Sequence, residues 1–293
     1  MAYVSFIIIG IFLNIHWIDC YTNLANVPCG QGKLTRRMPK IVGGQDAIPS
    51  EFPWLVSITR KGGHFCGGTI INNKFILTAA HCLCSGLNSI PVNQLKVTLG
   101  EYNLRETEIP ASIIKNIKNV VVHPSHKCGQ YIDDIAILEL GETIVWSNSI
   151  QPACLPIGQD DVNYQIFNGE SATAAGWGWL GENRTEYKRT DKLQKVDVNI
   201  IENKVCRDWY ESQGKKTRVG PQQMCAGHES GGRDSCWADS GGPLMVGSNL
   251  GDSIVVVGVV SSGLGCARPK LPGIYTRISE YIPWITQQTN IQH

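Results

Sequence analysis

The stretch "TIINNKFILTAAHC", Thr69 to Cys82, decides how the chain folds. It is a short run rich in β-branched and aromatic residues, and it stops on a histidine beside a cysteine. Runs of the same kind recur after residue 41: "WLVSI", "LKVTLG", "NVVVHP", "DIAILEL", "SIVVVGVVSSG" and "GIYTRI", set apart by Gly, Asn and Pro. That spacing predicts an all-β protein with closed antiparallel sheets. Only Glu202 to Ser212 and the terminal "SEYIPWITQQTNI" read as helices, and no internal repeat or low-complexity tract is present.

The chain has 293 residues, 42% of them hydrophobic, enough for one large domain or two lobes with a full core. Its formal net charge of +1 supplies no basic field for nucleic acid, so charge selectivity must be local to a pocket. Residues 4 to 18, "VSFIIIGIFLNIHWI", form an apolar run short of the roughly 20 residues of a membrane span. The run reads as the core of a signal peptide over residues 1–20, against an uncleaved anchor, and no later segment is apolar enough to span.

Secretion would put the eleven cysteines in an oxidising compartment, and loss of Cys20 with the signal would leave ten. No CxxC pair is followed by a second pair or by HxxxH, so the cysteines point to disulfides and not to a metal. Residues 21–40, polar and basic at "RRMPK", read as a removable or tethered pro-segment.

Three polar residues sit where an apolar pattern would not put them. His81 ends "FILTAAHC", Asp134 opens "DIAILEL", and Ser240 lies in the glycine-rich "CWADSGGP". A serine hydroxyl attacks an amide only if a base takes its proton, and histidine titrates near neutrality. A buried carboxylate can hold that histidine in one tautomer. His81, Asp134 and Ser240 fit these three tasks.

With "IVGG" at 41–44, "LTAAHC" at 77–82, "DIAIL" at 134–138 and "DSGGP" at 239–243 in this order, residues 41–293 resemble the chymotrypsin/trypsin family. The resemblance implies two six-stranded antiparallel β-barrels, about 41–150 and 151–293, with a C-terminal helix. It implies His81 and Asp134 from the first barrel and Ser240 from the second. It further implies a secreted endopeptidase without a cofactor, made as a zymogen. Cutting after Lys40 would free the amine of Ile41 to pair with Asp239. Asp234 would form the base of a specificity pocket walled by Gly263 and Gly273, selecting Arg or Lys. Trp237, Ser261 and Ser262 would border the substrate cleft.

The implied disulfides are Cys29–Cys154, which would tether the pro-segment, Cys66–Cys82, Cys206–Cys225 and Cys236–Cys266. Cys84 and Cys128 remain, in loops that the implied fold brings together, and are expected to pair with each other, against free thiols or an intermolecular bridge. Implied partners are protein or peptide substrates with Arg or Lys, an activating trypsin-like protease and protein inhibitors. Neither nucleic acid nor membrane is among them.

One residue departs from the pattern. The family normally has glycine where this chain has Ala238, whose N–H would join that of Ser240 in the oxyanion hole. If the backbone there needs a positive φ, alanine costs of order 1 kcal/mol. That departure keeps open a second reading, a weakly active or non-catalytic homologue that binds a partner. Two lesser signals are the glycosylation sequon at Asn183 and the pair Glu101 and Glu108, which resembles part of the family's calcium loop without its further acidic residue.

Overall fold

The structure is a computed structural model that describes residues 21–32, 44–61, 63–160, 167–183, 185–247 and 253–289. The expected signal peptide, residues 33–40, Lys40 and Ile41 lie outside the described residues.

The opening stretch folds as a hairpin with an appended turn. One strand ends at Ile70, the Asn72 side-chain oxygen accepts the N–H groups of Lys74 and Phe75 at 2.9 Å each, and a new strand runs through Phe75–Thr78. An asparagine that bonds the backbone two and three residues on makes such a turn without glycine. Thr69 pairs with Leu77 and Ile70 with Ile76. Ile70, Ile76 and Leu77 are fully buried, each contributing roughly 1.5–3 kcal/mol.

This hairpin belongs to a closed barrel of β1 (Leu55–Arg60), β2 (Gly63–Ile70), β3 (Phe75–Thr78), β4 (Leu95–Leu99), β5 (Ile113–Val122) and β6 (Ala136–Leu140). The order is β6-β3-β2-β1-β4-β5, with β5 pairing back onto β6. The second set is β7 (Ser171–Gly176), β8 (Gln194–Ile201), β9 (Gln223–Gly227), β10 (Pro243–Gly247), β11 (Ile254–Ser262) and β12 (Gly273–Arg277). It runs β7-β10-β11-β12-β9-β8 and closes where β7 pairs with β8, from Ser171↔Asn199 to Gly176↔Gln194. Every pairing within the two barrels is antiparallel, as the sequence predicts.

Helices α1 (Asn203–Ser212) and α2 (Ile282–Thr289) fall where the sequence predicts helix. Among the described residues no helix is long and apolar enough to cross a membrane.

The largest core cluster fills the first barrel and continues into the second through Trp177, Met245, Val256 and Tyr281, so the barrels share an apolar seam. All five expected disulfides are present: Cys29–Cys154, Cys66–Cys82, Cys84–Cys128, Cys206–Cys225 and Cys236–Cys266. Tyr21–Thr22 pairs with Leu155–Pro156, and Gly30 and Ile254 share a hydrogen bond, so residues 21–32 are docked as well as tethered.

Candidate active site

His81 sits in the 3₁₀ turn Ala80–Leu83 that follows β3, and Asp134 lies just ahead of β6, the strand paired to β3. This neighbouring placement brings the two together. The Asp134 carboxylate accepts the His81 backbone N–H at 2.8 Å through Oδ1 and faces His81 Nδ1 at 2.7 Å through Oδ2. The second barrel supplies the rest of the clamp: the Ser261 hydroxyl donates to Oδ2, and Thr276 Oγ1 donates to the Asp134 carbonyl at 2.8 Å. Asp134 is 1% exposed. Burial alone would raise its pKa, but the hydrogen bonds and charge of His81 and the Ser261 hydroxyl together hold it below the usual carboxylate range.

Ser240 lies before β10, in a loop pressed into the first barrel. The N–H of Gly67, on β2, donates to the Ser240 carbonyl at 2.8 Å, and a Cβ on Gly67 would stand 3.0 Å from the Gly242 Cα. Gly241 has φ +79°, and a Cβ there would come within 2.3 Å of Thr78 Oγ1. Two glycines after the serine are therefore needed for the two barrels to meet at this point. Ser240 and His81 line the same cleft, although no hydrogen bond joins their side chains. Such bonds commonly tighten only with substrate bound.

Ala238 has φ +75°, the left-handed conformation that makes alanine costly. The carbonyl of the preceding residue, Trp237, accepts the Trp179 N–H at 3.0 Å. Because a trans peptide points its C=O and N–H in opposite directions, the Ala238 N–H faces away from Trp179. The Ala238 carbonyl lies 3.1 Å from His64 Nε2, and His64 Nδ1 lies 2.8 Å from Ser57 Oγ. Burial, then the nearby Arg189 charge, lower the His64 pKa to about 3, so this ring is neutral. Neither the Ala238 nor the Ser240 N–H has an acceptor among the described residues.

The cleft continues to Asp234, along Trp237, Ser261, Ser262, Gly263 and Gly273. A Cβ on Gly273 would stand 2.7 Å from Asp234 Oδ1, so only glycine leaves that oxygen its space. Asp234 Oδ2 accepts the Ala267 N–H at 3.2 Å, while Oδ1 is buried without a partner. Burial pushes this carboxyl up to about 7. An enclosed oxygen at the base of an open cleft suits a cationic ligand.

Asp239 accepts the Gly178 N–H at 2.8 Å and the Cys236 N–H at 2.9 Å. Burial pushes it up to about 6 against those two bonds. A cavity beside it is lined by Gly44, Gly178, Trp179 and Lys195.

Three neighbours carried no signal in the sequence: His64, Thr276 and Tyr131, whose ring meets the His81 ring edge-on at 5.3 Å. Cys66, His81 and Cys82 cluster closely enough to suggest a metal, but both sulfurs are in one disulfide. Glu108 Oε1 accepts the N–H groups of Tyr102 and Asn103, which ties the 102–108 loop to itself. Asn183 is exposed and caps a turn through Thr185.

The Trypsin family model matches residues 41–285. The chain is 35% identical over 270 residues to the serine proteinase stubble of Drosophila melanogaster, covering 90% of this chain and 33% of that protein. It is 34% identical to transmembrane protease serine 11C of Mus musculus, covering 92% of this chain and 58% of that one. It is also 34% identical to the proclotting enzyme of Tachypleus tridentatus, covering 90% and 69%. The chain thus spans between a third and about two thirds of the length of these relatives, and over that span it belongs to the trypsin family of serine proteases.

Proposed function

We propose that the chain is a secreted endopeptidase, made as a zymogen cut after Lys40, that hydrolyses peptide bonds following Arg or Lys. His81 Nε2 takes the Ser240 proton as Oγ attacks the carbonyl, and Asp134 holds the Nδ1 hydrogen and stabilises the imidazolium. The oxyanion is met by the N–H groups of Ala238 and Ser240, each such donor being worth roughly 3–4 kcal/mol. His81 returns the proton to the leaving amine, and water then hydrolyses the acyl-enzyme by the same path. Side chains carry the chemistry, without a cofactor.

The observation that supports this reading best is that His81, held from behind by Asp134, lines one cleft with Ser240 and with Asp234, one oxygen of which has no partner. An Arg or Lys side chain offsets the desolvation of Asp234, which a neutral one cannot do. The cavity between Gly44 and Asp239 gives the freed Ile41 amine a place to go. Protein substrates, an activating trypsin-like protease, protein inhibitors and a glycan on Asn183 follow as expected partners. The φ of Ala238 is the observation that favours a weakly active homologue instead.

Cutting the purified chain at Lys40 and assaying small Arg and Lys amides tests the activity. Asp234→Ser should then lose Arg and Lys turnover and keep a weak preference for apolar or aromatic residues. Undiminished Arg turnover in that variant would defeat the pocket assignment.

A further inference from the structure

Asp239 is a carboxylate raised by its burial and Arg189 a half-buried guanidinium; among the described residues neither has an ion-pair partner, and one amide group stands between them. Arg189 Nε donates to the Trp177 carbonyl at 3.2 Å, and the N–H of that same peptide, on Gly178, donates to Asp239 Oδ1 at 2.8 Å. Arg189 Nη2 is buried and has no acceptor among the described residues. The arrangement is built in from both sides. Arg189 faces Trp179 in an antiparallel bridge, the Thr190 N–H donates to the Gly178 carbonyl, and a Cβ on Gly176 or Gly178 would overlap the Asp239 carboxylate.

We propose that Arg189 is the counter-ion of Asp239 in the uncut chain, a positioning residue that holds the 236–240 loop through the Trp177–Gly178 peptide before Ile41 is freed. A cation bonded to the carbonyl end of an amide polarises it and strengthens the bond its N–H makes to a carboxylate. A buried carboxylate with no cation is otherwise poorly tolerated. Burial lowers the Arg189 pKa, and the charges of Asp191 and then of Asp239 work against that burial. Asp191 is itself engaged by Arg105 at 3.0 Å, whereas among the described residues no lysine or arginine is within ion-pair distance of Asp239.

The inference rests on activation at Lys40, because the Ile41 amine is what would take over from Arg189. An uncut chain would therefore keep part of its substrate-binding shape, and losing Arg189 would harm the uncut form far more than the cut form.

The test is a fluorescence titration with p-aminobenzamidine, whose amidinium seeks Asp234. Arg189, Arg189→Gln and Arg189→Lys are each compared in two full-length forms: uncut, in a Lys40→Gln background, and cut after Lys40. Arg189→Gln is expected to weaken binding at least tenfold when uncut, with a loss at least five times smaller when cut. Arg189→Lys, which keeps the charge, should stay within about threefold of Arg189 in the uncut form. Equal losses in both forms, no loss when uncut, or a Lys variant as weak as the Gln variant would overturn the proposal and leave the activation reading standing. If cutting the unaltered chain does not change affinity, the activation reading falls first, and the counter-ion falls with it. Should Arg189→Gln fail to fold, the Arg189→Lys comparison alone decides.

Discussion

Asp134, buried behind His81, and Asp234, which lines the cleft, are carboxylates of one site, and their surroundings are opposite. Asp134 is gripped by the backbone and ring of His81 and by Ser261, and the grip overcomes its burial and lowers its pKa. Asp234 accepts one backbone N–H, has an oxygen with no partner, and is pushed up to about 7. Asp239, the third, lies between them in kind, with two backbone N–H groups and a carboxyl raised to about 6. The contrast separates two tasks. The group proposed to orient His81 is electrostatically complete in the resting chain, whereas the groups proposed for recognition and activation lack the cations that substrate and the new terminus would bring.

Asp134→Asn breaks the complete side and should have the largest effect. A carboxamide keeps the shape but offers an NH₂ where Ser261 and His81 both donate, so His81 loses its preferred tautomer. Steady-state kinetics on a small Arg amide should show kcat/KM falling roughly 10³- to 10⁴-fold. The affinity for p-aminobenzamidine, set at Asp234, should change by less than about threefold. A loss of activity below about tenfold would mean that His81 is oriented by something other than this clamp.

The next effect concerns Ala238. At φ +75° the alanine is strained, and its neighbours hold it there, His64 at its carbonyl and Trp179 at the peptide before it. Glycine takes this conformation freely. Ala238→Gly should raise kcat/KM on a small Arg substrate roughly 3- to 100-fold, about 0.7 to 2.7 kcal/mol. It should tighten rigid-loop trypsin inhibitors at least as much, since these press on the methyl and on Trp237. Unchanged or lower kcat/KM in the glycine form would show that the His64 and Trp179 contacts have already absorbed the strain.

What was legible in the sequence follows the same division. β3, β6 and β11 announce themselves because "FILT", "AILEL" and "IVVVGVVSS" are β-branched and apolar. β7, "SATAAG", and β9, "QMCAG", do not, because small residues carry little strand preference and are needed where the barrels pack closely. The motifs around His81, Asp134 and Ser240 were readable as local strings. Thr276, His64 and Arg189 were not, since each acts on a residue distant in sequence: Thr276 on Asp134, His64 on Ala238, and Arg189 through the Trp177 peptide. The positive φ at Ala238 belongs to the folded backbone and is carried by no local string of residues.

The smallest effect sharpens the comparison by titrating its incomplete side. A carboxyl whose folded pKa stands near 7, above the ordinary carboxylate value, favours the protonated folded state. Its contribution to stability is present at low pH and is lost as pH rises from about 4 to about 7. Binding a cation has the opposite sign, because only the ionised carboxylate attracts it. Between pH 6 and pH 8 the ionised fraction of such a group rises about tenfold, so the p-aminobenzamidine Kd should fall about tenfold and level off above that range. The nearby phenols Tyr210 and Tyr275 are both held above their ordinary range, by burial first and then by the Asp234 charge, and do not titrate in this window. Asp239, near 6, completes its ionisation early in the window, so the same titration in Asp234→Ser is the reference. Subtracting that weaker curve should leave a single proton released near pH 7. A Kd that is flat with pH, or a slope that survives in Asp234→Ser, would mean that Asp234 is already ionised at the base of the cleft and that its partnerless oxygen is satisfied by water.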